Sequence, residues 1–108
     1  MIVCLPVTAD GQVGQGWGRA DRVAIADVDE SGLRSWEEFD VGWGLTHDAA
    51  GEGQHHAGIA RFLIDRNVTC VVAGHMGPPM VEMLGAMGIG MRLGAGGKAR
   101  SAAVSARV

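Results

Sequence analysis

The segment Thr69-Cys70-Val71-Val72-Ala73-Gly74 constrains the fold most. It is short, rich in β-branched residues and uncharged, so it reads as a central strand whose two faces are both apolar. Such a strand must be covered on both sides, and that requirement points to an α/β architecture. The opening run Ile2 to Val7 has the same character and ends at Thr8-Ala9-Asp10-Gly11, a turn-forming sequence. Between these two runs, Arg22 to Val28 reads as a second strand, Asp29-Glu30-Ser31-Gly32 as a turn, and Leu33 to Val41 as a third strand of poorer alternation. From His55 to Arg66 the apolar residues Ile59, Phe62 and Leu63 recur at helical spacing. Pro78-Pro79 suits the first turn of a second helix with Met80, Met83, Leu84 and Met87 facing inward. Gly88 closes that helix, and Ile89 to Leu93 gives a fifth strand. The predicted order is βββαβαβ in one domain over residues 1–94. A basic Gly/Ala/Ser-rich tail over 95–108 reads as flexible.

The order of elements places the loops. Two hairpins make strand two antiparallel to its neighbours, and each helix returns the chain so that strands three, four and five run parallel. The loops after strands one, three and four therefore leave the sheet at one end, the usual ligand position in open α/β sheets. Residues Gly42 to Gly53 hold four glycines and no periodicity, so they read as a long loop, which in a compact domain is more often functional than idle. His47, His55, His56 and His75 all fall in these loops or at a helix start. Imidazole binds zinc, iron and copper, and His47, His55 or His56, and His75 are the expected ligands of a soft or borderline metal or of a preformed cluster. The thioether of Met76 stands beside them in sequence. The other methionines read as core filler.

Composition removes several classes of function. All twelve acidic residues lie before Arg92, while four of the nine basic residues lie from Arg92 onward. An acidic body with a small basic tail argues against a nucleic-acid interface. The longest stretch without a formal charge, Asn67 to Val81, contains His75 and Pro78-Pro79 and cannot span a bilayer, and MIVCLPV lacks the features of a secretory signal. A cytoplasmic protein without a membrane segment is expected. Cys4 and Cys70 sit in apolar runs without metal or redox spacing and are expected to be reduced and buried. Gly94-Ala95-Gly96-Gly97-Lys98-Ala99 fits the relaxed dinucleotide pattern, but too little chain follows it to complete the unit. It is not a P-loop either, with Arg92 and Ala99 where that motif needs glycine and a hydroxyl residue. Strands one and four carry no carboxylate, Asp48 and Glu52 lie on the loop, and no serine or cysteine stands in a nucleophile turn, so acid/base or nucleophilic catalysis is disfavoured.

Several segments together resemble the dinitrogenase iron-molybdenum cofactor biosynthesis family, the small domains related to NifX, to the carboxy-terminal part of NifB and to the molybdenum-copper orange protein. They are the opening IVCLPVTADG, the stretch Trp17-Gly18-Arg19-Ala20, the segment His56-Ala57-Gly58-Ile59-Ala60 leading into Phe62-Leu63, and Val71-Val72-Ala73-Gly74-His75-Met76-Gly77-Pro78 followed by Leu84 and Gly88-Ile89. Together they span residues 2–94. The resemblance implies a ribonuclease H-like three-layer fold with a five-stranded mixed sheet in the order 3-2-1-4-5, strand two antiparallel. It further implies a non-enzymatic carrier of an iron-sulfur or iron-molybdenum type cluster or its precursor, working with a metallocofactor assembly or acceptor protein. The residues expected to bind the cluster are His47, His55, His56, His75, Met76, Trp17 and Arg19, with His47, His56 and His75 on the metal, although the position of His75 is usually small in the family. Gly16 departs from the family pattern, in which a histidine often precedes the aromatic residue, and the closing helix of many members is expected to be replaced by the basic tail. Two rivals remain open. One is an interaction or regulatory module of the same fold without cargo, and the other is a zinc-dependent hydrolase built on the same histidines.

Overall fold

The computed structural model describes the backbone of residues 1–107 and the side chains of residues 1–45 and 53–107. Its elements are β1 (Ile2–Pro6), β2 (Arg22–Asp29), β3 (Gly32–Asp40), α1 (Trp43–Asp65), β4 (Cys70–Val72), α2 (Pro78–Ala86), β5 (Gly90–Arg92) and α3 (Ala99–Ser105). The five strands form one sheet in the order β3-β2-β1-β4-β5. β1 is antiparallel to β2 and parallel to β4, and β4 is parallel to β5. The carboxyl ends of β1, β4 and β5 therefore share one rim with the start of β2 and the end of β3.

Strand alternation sorts the core into two layers. Cys4, Val23 and Val71 face one side and pack with Ile59 and Leu63 of α1 and with Met80 and Leu84 of α2. Val3, Leu5, Ala24, Ala26, Val28, Cys70 and Val72 face the other side, where α3 covers them through Ala99 and Ala103, with Ala106 just beyond its end. Of the methionines predicted to face inward on α2, Met80 is buried, whereas Met83 and Met87 are only partly so. The poor alternation of the third strand has a definite cause. The pairing of β2 with β3 shifts between Asp27 and Val28, Asp27 facing Ser35 and Val28 facing Leu33, which leaves Arg34 as an extra residue. That bulge turns both Leu33 and Trp36 towards the α3 layer while Phe39 faces the other.

Two expectations are corrected. Gly42 to Gly53 is not a loop, because the helical run α1 begins at Trp43, directly after Gly42 in the left-handed conformation at φ 57°. Trp43 and Phe62 lie within this run, yet their rings are 5.6 Å apart. A straight helix would separate them by about 28 Å at 1.5 Å per residue, so the run bends sharply between them. Glycine lowers helix propensity, but burial of Trp43 against Trp17 and Phe62 outweighs that preference.

The second correction concerns the carboxyl end. The tail expected to be flexible, and to replace the closing helix, instead forms α3 and docks on the sheet. Ala99, Ala103 and Ala106 stand at i, i+4 and i+7, a helical stripe made of small residues. Arg100 lies 4.7 Å over the Trp36 ring, and Arg107 donates to the Asp29 carbonyl at 2.8 Å, so both ends of the helix are tied to the β2–β3 hairpin. Gly94 and Gly97 do not act as loose linkers either. Their positive φ angles of 78° and 76° shape the turns that bring the chain into α3.

Because α3 covers the second core layer, Ala103→Glu should place a charge against apolar side chains and destabilise the fold by about 3 kcal/mol or more. Deleting residues 98–108 should lower the melting temperature by several degrees or more. Thermal unfolding followed by circular dichroism checks both, and an unchanged midpoint would show that α3 does not stabilise the sheet. The register sets Cys4 opposite Val71 and Cys70 opposite Val3 on neighbouring strands, with the two thiols on opposite faces of the sheet, so they cannot form a disulfide. Burial pushes both thiols above the ordinary cysteine range, most strongly at Cys4. Both should therefore label slowly with a thiol reagent in the native protein even at pH 8 and rapidly after denaturation.

Candidate functional site

The rim at the carboxyl ends of the central strands is built by three loops laced through their backbones. Gln15 accepts a hydrogen bond from the His75 N–H at 2.8 Å, and the His75 carbonyl accepts one from the Trp17 N–H at 3.1 Å, so residues 15–17 run beside residues 74–76 like an added parallel strand. On the other side, Gly94 N–H donates to the Gly74 carbonyl at 3.0 Å, and Ala95 N–H to that of Ala73 at 3.1 Å. Gly74 is thus enclosed between two chains. A side-chain carbon there would stand 2.9 Å from the Gln15 carbonyl oxygen and 3.4 Å from that of Ala95. Only glycine fits without moving the loops.

A cleft of about 600 Å³ opens on this rim, walled by Pro6, Thr8, Gly14 to Gly16, Arg19, Arg22 and Asp40 among others. Its charged edge is organised by strand register. Arg22 begins β2 opposite Asp40 at the end of β3, and its guanidinium binds the Asp40 carboxylate at 2.9 Å and that of Glu38 at 3.2 Å. These carboxylates raise the proton affinity of Arg22, which stays cationic throughout. Arg19 is exposed in the wall of the cleft. Gly16, also in the wall, is bridged to His75, whose side chain is exposed. Among the described residues no hydrogen bond engages the His75 ring.

The other predicted site residues are dispersed. His55 does not begin a helix but lies inside α1, only 1% exposed, and a side-chain carbon on Gly18 would lie 3.6 Å from its Nε2. Trp17 and Gly18, adjacent in one rim loop, therefore touch His75 and His55 respectively, with the first histidine exposed and the second buried. His56 is partly buried, its ring 5.7 Å from that of His55. Trp17 and Met76 belong to the core beneath the rim. Trp17 packs edge-on against Trp43 at 4.9 Å, and its buried Nε1–H has no hydrogen-bond acceptor among the described residues. The side chain of His47, like those of Asp48 and Glu52, lies outside the described residues. Among the described residues, no three of the His, Cys, Asp and Glu side chains come together as metal ligands. Among the described residues, His75 stands on the rim and His55 beneath it, with His56 beside His55.

Sequence reasoning missed Gln15, which holds the two loops together through its backbone, and the Arg22–Asp40 pair, which closes one side of the cleft. Main-chain pairing leaves no mark on residue type. The pair was readable only with the β2–β3 register, which the bulge at Arg34 obscures.

The fold recurs in known structures. A NifB-like protein from Thermotoga, placed in the DUF35 family, is 24% identical with a TM-score of 0.71 over 98% of this chain and 86% of its own. The apo form of the orange protein from Desulfovibrio gigas is 23% identical with a TM-score of 0.72 over 94% and 82%. A dinitrogenase-like protein from Methanocaldococcus jannaschii is 11% identical with a TM-score of 0.64 over 97% and 85%. No curated protein matches the chain. The family model for dinitrogenase iron-molybdenum cofactor proteins matches residues 1–107, essentially the whole sequence, and the chain therefore belongs to that family.

Proposed function

We propose that this protein binds and carries an iron-molybdenum or iron-sulfur type cluster, or a precursor of one, on the rim of a ribonuclease H-like fold, as a non-enzymatic accessory to metallocofactor assembly. It would receive the cluster from, or pass it to, an assembly or acceptor protein in the cytoplasm. No helix among the described residues is long and apolar enough to cross a membrane, which fits that setting. One observation carries the reading beyond family membership. The exposed His75 is bridged to Gly16, a wall residue of the roughly 600 Å³ cleft that also presents Arg19. One exposed imidazole on the loop paired with the wall and one guanidinium in the wall suit a preformed cluster, which brings its own sulfide ligands and carries negative charge. A bare zinc ion needs three or four protein ligands, and the described residues offer no such group, so the zinc hydrolase has no support in this geometry.

In this reading His75 is the rim ligand and Arg19 the anion partner. Trp17 and Met76 form the floor and hold the loops in place, and His55 and His56 lie outside the coordinating set. Anaerobic titration with an extracted iron-molybdenum cofactor and with a synthetic iron-sulfur cluster, followed by absorbance, should show uptake near one cluster per chain. His75→Ala and Arg19→Ala should each weaken it by about tenfold or more. Uptake by both variants equal to that of the wild type would remove the rim site, and no uptake by the wild type would favour the interaction module. Gly74→Ala tests the lacing independently. It should cost about 1 to 3 kcal/mol of stability by forcing the loops at Gln15 and Ala95 apart, and it should reduce uptake although it removes no ligand. Unchanged stability and uptake would show that the close approach does not shape the cleft.

A further inference from the structure

A second cavity, of about 350 Å³, lies between β3 and α1 and shares only Asp40 with the rim cleft. Phe39, Trp43, His55, Ile59, Phe62 and Arg66 line it. The Phe62 ring meets Phe39 at 5.6 Å and 85° and Trp43 at 5.6 Å and 89°, so Phe62 packs edge-to-face with both of the other rings that line the cavity. The Arg66 guanidinium lies 3.8 Å over Phe62 and 4.7 Å over Phe39. Its Nη1 donates to the Phe62 carbonyl at 3.3 Å. No carboxylate among the described residues is within ion-pair distance of it, and the one acid in the cavity wall, Asp40, is held by Arg22 at 2.9 Å. Arg66 is therefore a partly buried cation, seated against two rings at the border of a largely apolar cavity, with further N–H donors and, among the described residues, no anion to meet them.

We propose that this cavity binds a small organic carboxylate with a flat apolar body, Arg66 taking the carboxylate and the rings of Phe39, Trp43 and Phe62 the body. A guanidinium presents a planar fork that matches a carboxylate in two parallel hydrogen bonds. Its contacts with the Phe39 and Phe62 rings and its hydrogen bond to the Phe62 carbonyl hold that fork in place beforehand, so little side-chain freedom remains to be lost on binding. The volume is at the lower end for small-molecule sites and suits a ligand of about ten non-hydrogen atoms.

The probes are benzoate and its uncharged counterpart benzyl alcohol, titrated into ¹⁵N-labelled protein. Benzoate should shift the Trp43 indole N–H and the amides of Gly58 and Phe62 saturably, and benzyl alcohol should bind at least tenfold more weakly. Arg66→Gln should lower benzoate affinity by tenfold or more, while Arg61→Gln, an exposed arginine on the same helix, should leave it unchanged. The proposal is overturned if benzoate gives no saturable shift in these residues, if benzyl alcohol binds as tightly, or if Arg66→Gln binds as the wild type does. The last two outcomes would mean that Arg66 serves only to pack against the rings and cap the helix. Should Arg66→Gln lose its dispersed spectrum, the comparison of the two probes on the wild type decides alone.

Discussion

The parallel pairing of β1 with β4 is the constraint on which the rest of the molecule depends. Val3 faces Cys70 and Cys4 faces Val71, two short strands of apolar residues side by side at the middle of the sheet. Because every residue of this pair except Ile2 is buried, neither strand can lie at a surface, and a helical layer is needed above and below. α1 and α2 supply one layer, and α3 supplies the other with little more than alanine methyl groups. The close approach that alanine permits answers the small Ala24 and Ala26 on the facing strand.

The same pairing creates the rim. Parallel strands release their loops at one end, and here those loops are joined by backbone hydrogen bonds as if the sheet continued past its strands. The positions of His75 and Gly16 are then fixed by main-chain geometry more than by their own side chains. A site of this kind tolerates change in its side chains as long as the loops keep their approach.

How far the sequence was legible follows from which forces leave a mark on residue type. The strands, their directions and the shared rim were readable because apolar runs without charge and turn glycines record burial and chain reversal directly. Helix α2 was readable from Pro78 and Gly88 for the same reason. The start of α1 leaves no helical pattern in the sequence because its first turns are glycine-rich and are held by Trp43 packing against Trp17 and Phe62, residues far away in sequence. The sequence of α3 reads as a tail because an Ala99, Ala103, Ala106 stripe is weak on any hydropathy scale, although small residues are what a closely packed helix requires. Of the seven site residues named from sequence, Trp17, Met76 and His55 are buried, and His75 and Arg19 stand on the rim. Sharing an end of a sheet constrains direction but not depth, and the rim loop at Trp17-Gly18 separates what the topology brought near.

That separation bears on what a carrier needs. A site that closes four protein ligands around an ion holds it as part of the fold and gives it up only by unfolding or competition. In the proposed role, a rim with one exposed imidazole and one guanidinium, on loops stiffened by their own hydrogen bonds, would hold a preformed cluster at few points while most of the cluster surface remained open to the next protein. Rigid loops keep the ordering cost of capture low, and sparse ligation keeps the barrier to release low. In the proposed carrier role, the dispersal of the described histidines would leave the cluster open for transfer between proteins.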